Sequence, residues 1–281
     1  MANLTMVASG YQAVEGPAID ADGNLYFSDT IGGGVYRLRP AGDVEVIVPK
    51  RKGAGGITLH AEGGIVISGR DVSHIRDGET RVIITREDAP AREGTTVGGF
   101  NDITADRVGR VFAGTTRFTQ DGAPAPGELL MVTGTHEATV VYEDVGMTNG
   151  IAQSADGVRL YHADTERQRI IVSDITDESV PVPVTEFRTT ISGRPDGVAA
   201  DADGGLWVAW GGFVIRFDAD GLVDQQISMP ADHVLNCCFA GDELTDLFVV
   251  TMDNTDRPEL GGCIYRMPVG IRGAPVPPAR V

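Results

Sequence analysis

The stretch RPDGVAADADGGLWVAW, at residues 194–210, decides the fold of this chain of 281 residues. It begins with a short apolar entry, passes through a D-x-D-G turn and ends in a segment of alternating apolar residues. A turn of this composition between runs of period two is typical of a β-hairpin. The stretch therefore predicts a pair of antiparallel strands.

The same pattern recurs along the chain. The repeats begin at Glu15, Gly55, Asn101, Asn149, Asp196 and Asn236, with spacings of 40, 46, 48, 47 and 40 residues. Each repeat has room for about four short strands, and none shows a helical period. The spacing predicts an all-β protein, a six-bladed β-propeller with four antiparallel strands in each blade. A parallel β-helix is the alternative fold, but its coils are shorter than these repeats.

The two ends of the chain complete this prediction. The last repeat offers only three strands before a Pro-rich tail, IRGAPVPPARV at 271–281. The unassigned strand LTMVA at 4–8 would supply the fourth strand and close the ring, which removes exposed strand edges. We expect the tail to wrap the surface. Because no convincing linker interrupts the repeats, the sequence predicts a single domain over residues 1–281.

The composition indicates a folded, acidic protein. Hydrophobic residues make up 42% of the chain, and 23 Lys and Arg face 40 Asp and Glu, a net charge of −17. A field of that sign repels phosphate backbones and anionic lipids, which argues against nucleic acid and membrane partners and favours a small-molecule substrate. The sequence has neither a long apolar run nor a secretory signal, and Cys237, Cys238 and Cys263 follow no pairing pattern. We therefore expect a cytoplasmic protein with reduced thiols; its oligomeric state is not indicated.

The residues at the repeat starts suggest a metal site. In a propeller, equivalent positions of successive blades lie on one ring around the axis, and five of the six occupants here carry side-chain oxygens. Converging carboxylates and amide carbonyls are the ligands of a hard divalent cation. Without a cation, Glu15 and Asp196 would repel each other at close range. A single Asn-Gly or Asp-Gly pair is an ordinary turn former, so the signal lies in the matching positions.

These residues resemble the gluconolactonase, regucalcin (senescence marker protein) and luciferin-regenerating enzyme family of six-bladed propellers. The resemblance covers nearly the whole chain. It is carried by EGP at 15–17, FNDITADRVGRVFAGT at 100–115, TNGIAQSADG at 148–157, RPDGVAADADGGLWVAW at 194–210, NCCFAGDELTDLFVVT at 236–251 and GGCIYRMPVGIRGAPV at 261–276.

The resemblance implies one divalent ion in the channel, held by Glu15, Asn149 and Asp196. Asn101 would face the substrate and reach the ion directly or indirectly. Ca²⁺ is the first expectation for this ion, with Mg²⁺, Mn²⁺ and Zn²⁺ as alternatives.

The implied activity is that of a metal-dependent lactonase. The cation would act as a Lewis acid on the carbonyl oxygen, Asp196 as the general base for an attacking water, and Asn101 as a donor to a substrate oxygen. Two alternatives remain open. One is a phosphotriesterase-like or other metal-dependent propeller catalyst, and the other is a non-catalytic binding protein braced by calcium.

Departures from the sugar lactonases bear on the substrate. Gly99 stands where these members commonly have Arg, and Thr119 stands where they can have an acidic residue. The arginine and the acidic residue would be hydrogen-bonding partners for sugar hydroxyls, and this chain lacks both at these positions. The neighbourhood instead offers Phe100, Phe118 and Met147 as substrate contacts, which predicts a less hydroxylated, more apolar lactone or ester.

A few other residues are candidates for the site. His233, three residues before Asn236, is either a proton carrier on the substrate side of the channel mouth or a solvated loop histidine. Arg117 is either a surface charge or a replacement for the Arg missing at Gly99. Trp207 and Trp210 lie three apart on one strand and should face opposite ways, with Trp210 a candidate to border the site. The remaining histidines, His60, His74, His136 and His162, show no ligand spacing, which argues against an imidazole-held zinc ion.

Overall fold

The structure, a computed structural model, describes residues 3–241 and 243–281, and the regular structure there is almost entirely β-strand. The strands form six antiparallel sheets, five with four strands and one with five. Two short 3-10 helices, Arg86–Asp88 and Pro258–Leu260, are the helical elements of the described residues. None of the helices in this part of the chain is long and apolar enough to cross a membrane. The predicted six-bladed β-propeller is confirmed.

Strand β1 (Thr5–Tyr11) belongs to the last blade and does not pair with the strands that follow it in sequence, so the blades are counted from β2. Blade 1 contains β2 (Val14–Ile19), β3 (Leu25–Asp29), β4 (Val35–Leu38) and β5 (Val44–Val48). Blade 2 contains β6 (Ile57–Leu59), β7 (Ile65–Ile67), β8 (Val72–Arg76) and β9 (Glu79–Ile84). Blade 3 contains β10 (Thr95–Ala105), β11 (Val111–Thr119), the short β12 (Pro124–Ala125), β13 (Gly127–Gly134) and β14 (Glu137–Val145).

The second half of the ring repeats this arrangement. Blade 4 contains β15 (Thr148–Gln153), β16 (Arg159–Asp164), β17 (Arg169–Asp174) and β18 (Val182–Phe187). Blade 5 contains β19 (Pro195–Ala200), β20 (Leu206–Trp210), β21 (Phe213–Phe217) and β22 (Val223–Ser228). Blade 6 contains β23 (Val234–Ala240), β24 (Asp246–Thr251), β25 (Gly262–Pro268) and β1.

The ring is closed by β1, as the sequence predicts. Its register runs antiparallel to β25, from Thr5 opposite Arg266 to Tyr11 opposite Gly262. The first strand of the chain thereby completes the last blade, which satisfies the edge of β25.

The D-x-D-G segments form the predicted hairpin turns. In blade 1, Asp20 Oδ1 accepts hydrogen bonds from the backbone N–H groups of Asp22 and Asn24, at 3.0 and 2.9 Å. In blade 5, Asp201 Oδ1 accepts from Asp203 and Gly205 in the same way. Such side-chain to backbone bonds fix the tight turn between an inner strand and its neighbour. All of these turns lie on one face of the ring. We call the opposite face, where the inner strands begin, the entrance face.

The core lies between the blades, in hydrophobic clusters that each join two adjacent sheets. Trp207 and Trp210 are both fully buried and belong to different clusters, so they face opposite sides of β20 as predicted. Trp210 does not border the site. Its ring is enclosed in the core between blades 4 and 5, and its Nε1 donates to the Ile191 carbonyl at 3.1 Å.

The tail crosses the face opposite the entrance. Gly273 pairs with Asp201 in blade 5, and Ala279 pairs with His60 in blade 2. Between these anchors, residues 274–277 help to line a cavity of about 320 Å³ on the tail side of the channel. The upper part of the cavity is lined by Asp102 and Asn236. Glu15, Asn101, Asn149 and Asp196 are not among its lining residues.

Candidate active site

The site residues lie in β-bulges at the start of the inner strands. Five of the six inner strands show a register shift against their neighbour at this position. The shifts fall between Glu15 and Ala18, Phe100 and Ile103, Thr148 and Ile151, Pro195 and Val198, and Val234 and Asn236. A bulge bends a strand and re-aims its side chains, and bulges are common beside functional sites. The Asn-Gly and Asp-Gly pairs are thus strand residues in bulges, not turn residues.

Glycines allow these bulges to approach one another. A Cβ on Gly197 would lie 1.9 Å from Asn236 Cγ, and a Cβ on Gly55 would lie 2.6 Å from Asn101 Oδ1. Real Cβ atoms do not come so close to neighbours, so only glycine fits at these two positions. Gly55 is the one repeat start without a side-chain oxygen, and its missing side chain makes room for Asn101.

Three carboxylates meet in the channel. Asn236 Nδ2 donates to both Glu15 Oε2 and Asp102 Oδ2, at 3.2 Å each. Because Asp102 and Asn236 belong to opposite blades of the ring, their contact crosses the channel axis. Asp196 of blade 5 interacts electrostatically with both carboxylates. Among the residues that the structure describes, no Lys, Arg or His side chain forms an ion pair with any of the three.

Burial raises the pKa of every carboxyl group in this cluster, and neighbouring charges raise the pKa of Glu15 and Asp196 further. For Glu15 burial is the largest cause, followed by the charges of Asp196 and Asp102. Burial and then the charge of Asp102 raise the pKa of Asp196, and burial raises the pKa of Asp102 to about 7. In the described part of the chain, Asp102 Oδ1 and Asp196 Oδ1 are shielded and have no hydrogen-bond partner. If all three groups ionise, their negative charge exceeds what their own contacts neutralise, so the cluster keeps protons or takes up a cation.

Two asparagines beside the carboxylates are held by neighbouring strands. Asn101 Nδ2 donates to the Thr148 carbonyl at 2.9 Å, and Asn149 Nδ2 donates to Thr165 Oγ1 at 3.2 Å. The Thr165 hydroxyl in turn donates to the Pro195 carbonyl at 2.7 Å. Among the described residues neither amide oxygen accepts a hydrogen bond, so both oxygens are available as acceptors or ligands. The structure thus brings Glu15, Asn101, Asn149 and Asp196 to the ring where the repeats predicted them.

Asp102 is a site residue that the repeat pattern does not predict. Strict alternation places adjacent residues on opposite faces of a strand. The bulge between Phe100 and Ile103 cancels that alternation, so both Asn101 and Asp102 reach the channel. The adjacent Asn-Asp pair at a repeat start was the available signal. Phe100, predicted to face substrate, is instead 2% exposed and packs in the core between blades 2 and 3.

Three other residues predicted on the substrate side are exposed. Phe118 and Met147 have exposures of 39% and 43%, and Met147 is two residues before Asn149. The His233 side chain is 64% exposed, with its Nδ1 3.4 Å from Asp253 Oδ2. A ligand at the entrance face has access to all three, and their contact with substrate stays a prediction.

Arg117 is neither a surface charge nor a replacement for the arginine missing at Gly99. Its side chain is 1% exposed, and its guanidinium makes a bidentate contact with the fully buried Glu128, with distances of 2.6 and 2.8 Å. It also donates to Thr95 Oγ1 at 3.3 Å and to the Pro90 carbonyl at 2.5 Å. The pair anchors the segment before β10 to the outer strands of blade 3.

The remaining histidines and the cysteines have structural roles in this arrangement. His60 and His74 stack with ring centroids 3.9 Å apart, and His162 is fully buried with its Nδ1 2.8 Å from the Tyr142 hydroxyl. The cysteines are free and buried. Burial raises the pKa of the Cys238 thiol to about 12, which keeps it protonated.

The structure does not by itself identify a metal centre. The described residues contain no group of three or more His, Cys, Asp and Glu side chains arranged to hold a metal ion. Any ion bound at the ring would therefore take amide oxygens of the asparagines as well as carboxylates.

Comparison with known proteins places the chain among relatives of the same length. Residues 13–253 match the SMP-30/Gluconolactonase/LRE-like region. The chain is 30% identical over 266 residues to the 6-deoxy-6-sulfogluconolactonase of Pseudomonas putida, covering 90% of this chain and 89% of that protein. It is 29% identical over 280 residues to a pentonolactonase of Haloferax volcanii, covering 93% and 92%. Regucalcin of Xenopus laevis is 28% identical over 294 residues, covering 95% of both chains.

Solved structures share the fold. The luciferin-regenerating enzyme superposes with a TM-score of 0.85 over the whole of both chains, at 21% identity. A calcium-binding protein, regucalcin from Agrobacterium tumefaciens, gives a TM-score of 0.81 at 20% identity, covering 98% of this chain and 97% of the other. The family match spans all six repeat starts that build the channel site. The chain therefore belongs to the SMP-30/gluconolactonase/LRE-like family.

Proposed function

We propose that the chain is a lactonase that uses one divalent metal ion in the channel. The observation that carries this proposal is the cluster of Glu15, Asp102 and Asp196, three carboxylates in electrostatic contact and without a cationic partner among the described residues. Such a cluster is unfavourable unless protons or a cation neutralise it. Family membership and relatives named as lactonases support a hydrolase that acts on cyclic esters.

The donor set fits a hard cation. Carboxylate and amide oxygens are preferred by Ca²⁺ and Mg²⁺, and Asp196 Oδ1 is shielded and without a partner in the described residues. Glu15, Asn149 and Asp196 would hold the ion, and Asn101 would reach it directly or indirectly. Calcium is the first candidate, since the Agrobacterium regucalcin of the same fold is described as calcium-binding. When bound, a divalent cation here supplies Lewis acidity toward the ester carbonyl and lowers the pKa of nearby water.

The chain's own residues then have separable tasks. Asp196 accepts the proton of the attacking water, because its carboxylate lies in the ring and has an uncommitted oxygen. Asn101 orients the ester, since its amide is fixed by the Thr148 carbonyl. Asn236 bridges Glu15 and Asp102 by donating to both.

The proposed substrate has fewer hydroxyls than a sugar lactone. A Cβ on Gly99 would lie 2.5 Å from the Gly69 carbonyl oxygen, so no longer side chain can offer hydrogen bonds from this position. Phe118 and Met147 are exposed apolar side chains on the entrance face, as are Ile31 and Met252. Comparing aldonolactones with deoxy and aliphatic lactones of the same ring size tests this point, and a clear preference for the aldonolactones would contradict it.

The role of Asp196 is tested by Asp196→Asn in a pH-indicator assay of lactone hydrolysis. We expect the variant to keep its fold and to lose at least about 100-fold in kcat, the lower range for removal of a general base. Asp220→Asn is the matched control, because Asp220 is exposed on the opposite face. Full activity of Asp196→Asn, with a far-UV spectrum like that of the control, would remove Asp196 from the proposed role.

A further inference from the structure

Positive charge is concentrated at one sector of the entrance face. The chain contains only two lysines, Lys50 and Lys52, and both lie with Arg51 in the segment that joins blade 1 to blade 2. Arg70 lies on the same face, in the connection between β7 and β8. These four residues, which we call the basic sector, stand out in a protein whose net charge is −17.

Most of this charge makes no direct ion pair, although Arg70 acts electrostatically on Asp71 and Glu87. Arg51 pairs with Asp71 at 2.9 Å, whereas Lys50, Lys52 and Arg70 have no carboxylate within 4.0 Å in the described parts of the chain. All three of these side chains belong to exposed residues. Arginines on the same face of blades 4 and 5 differ, since Arg167, Arg188 and Arg194 each pair with a carboxylate. The basic sector thus retains positive charge that a ligand could use.

The basic sector flanks the substrate side of the site. Gly69, next to Arg70, exchanges backbone hydrogen bonds of 2.7 and 3.1 Å with Phe100, next to Asn101. Gly55, three residues after Lys52, lies against Asn101. A Cβ on Gly55 would lie 2.6 Å from Asn101 Oδ1. Blade 2 is also the blade that contributes no oxygen to the ring. The sector therefore borders Asn101, in the gap that blade 2 leaves between Glu15 of blade 1 and Asp102 of blade 3.

We propose that the basic sector recognises an anionic group on the substrate, so that the preferred lactones carry a carboxylate, sulfonate or phosphate away from the ester. This proposal rests on the proposed lactonase function and adds the substrate's charge to it. The channel carboxylates repel an anion, and a local positive field at the rim offsets that repulsion and steers the anionic end away from them. Exposed charge contacts of this kind are modest and weaken with salt.

The test compares two δ-lactones with the same ring, one with a neutral exocyclic hydroxymethyl and one with a sulfonate there. Lys52→Gln, Arg70→Gln and the double variant are assayed at low salt and at high salt. Arg272→Gln is the matched control, because Arg272 is exposed on the opposite face and makes no ion pair among the described residues. Phosphate and carboxylate analogues distinguish a general anion site from a sulfonate-specific one.

We expect the wild-type protein to prefer the anionic lactone. Each single variant should raise KM for that lactone about threefold and the double variant about tenfold, with kcat unchanged, because the contact lies away from the reacting ester. The neutral lactone should be unaffected, and high salt should abolish the difference. Equal effects on both lactones, or none in the double variant, would overturn the basic-sector proposal while leaving lactonase activity intact. Absence of turnover with both lactones in wild-type protein would overturn both proposals.

Discussion

Acidification should destabilise this fold through one buried histidine. His162 is fully buried between strands of blade 4, and burial lowers the pKa of its imidazole to about 4. The unfolded chain has an ordinary histidine pKa of about 6.5, so it binds the proton more tightly than the folded protein. The stabilising contribution of neutral His162 to the free energy of unfolding is therefore complete above about pH 6.5 and is lost as the pH falls toward 4. Linkage gives a loss of about 2 kcal/mol between pH 7 and pH 5.

The assay is urea unfolding of the wild-type protein and of His162→Gln at both pH values. The substitution also changes the free energy of unfolding through packing. That change cancels when the two pH values are compared within each protein. We expect the wild-type protein to lose about 2 kcal/mol more than the variant on going to pH 5. His136→Gln is the control for an exposed histidine, because the His136 side chain is 56% exposed, with its Nδ1 2.8 Å from Asp88 Oδ2 at the surface. Parallel pH profiles for the wild-type protein and His162→Gln would refute the reasoning.

Two further predictions concern the packing that supports the site. Gly197→Ala should lower the free energy of unfolding by about 1–3 kcal/mol and reduce lactone turnover, because its Cβ would lie 1.9 Å from Asn236 Cγ; unchanged urea midpoint and kcat would contradict the tight approach of blades 5 and 6. Arg117→Met should cost about 3 kcal/mol, the lower end for a broken buried pair, because Glu128 loses its bidentate partner but keeps Arg92 at 3.2 Å. Arg39→Met, at an arginine whose side chain is 44% exposed, should cost less than about 1 kcal/mol in the same urea experiment, and equal losses would argue against a buried pair.

The repeats were sufficient to predict the fold. In hairpin turns such as that of Asp20, the hydrogen bonds join residues of the same turn, so the structure is determined by a few consecutive residues. The spacing of the repeats then fixes the number of blades, and the orphan segment at 4–8 predicts the closing strand, found as Thr5–Tyr11. Each of these features depends on local sequence or on the spacing of the repeats, and both can be read from the sequence alone.

The details of the site were less predictable, because they depend on contacts between blades. The ring position of Asn101 follows from the repeats, but that Asp102 also faces the channel depends on a bulge. No local signal distinguishes the Asn-Gly of a bulge from the Asn-Gly of a turn. Similarly, Arg117 is buried because β11 continues to Thr119 and Glu128 comes from β13, a pairing that the sequence does not display.

The central claim is that the channel cluster binds a divalent cation for lactone hydrolysis. The most direct measurement is the initial rate of acid release from a lactone by chelator-treated protein, as Ca²⁺, Mg²⁺, Mn²⁺ or Zn²⁺ is restored in turn. We expect negligible turnover after chelation and recovery with at least one ion, saturating at one ion per chain in wild-type protein and absent in Asp196→Asn. Undiminished hydrolysis after complete removal of metal, or the same recovery in Asp196→Asn, would contradict it.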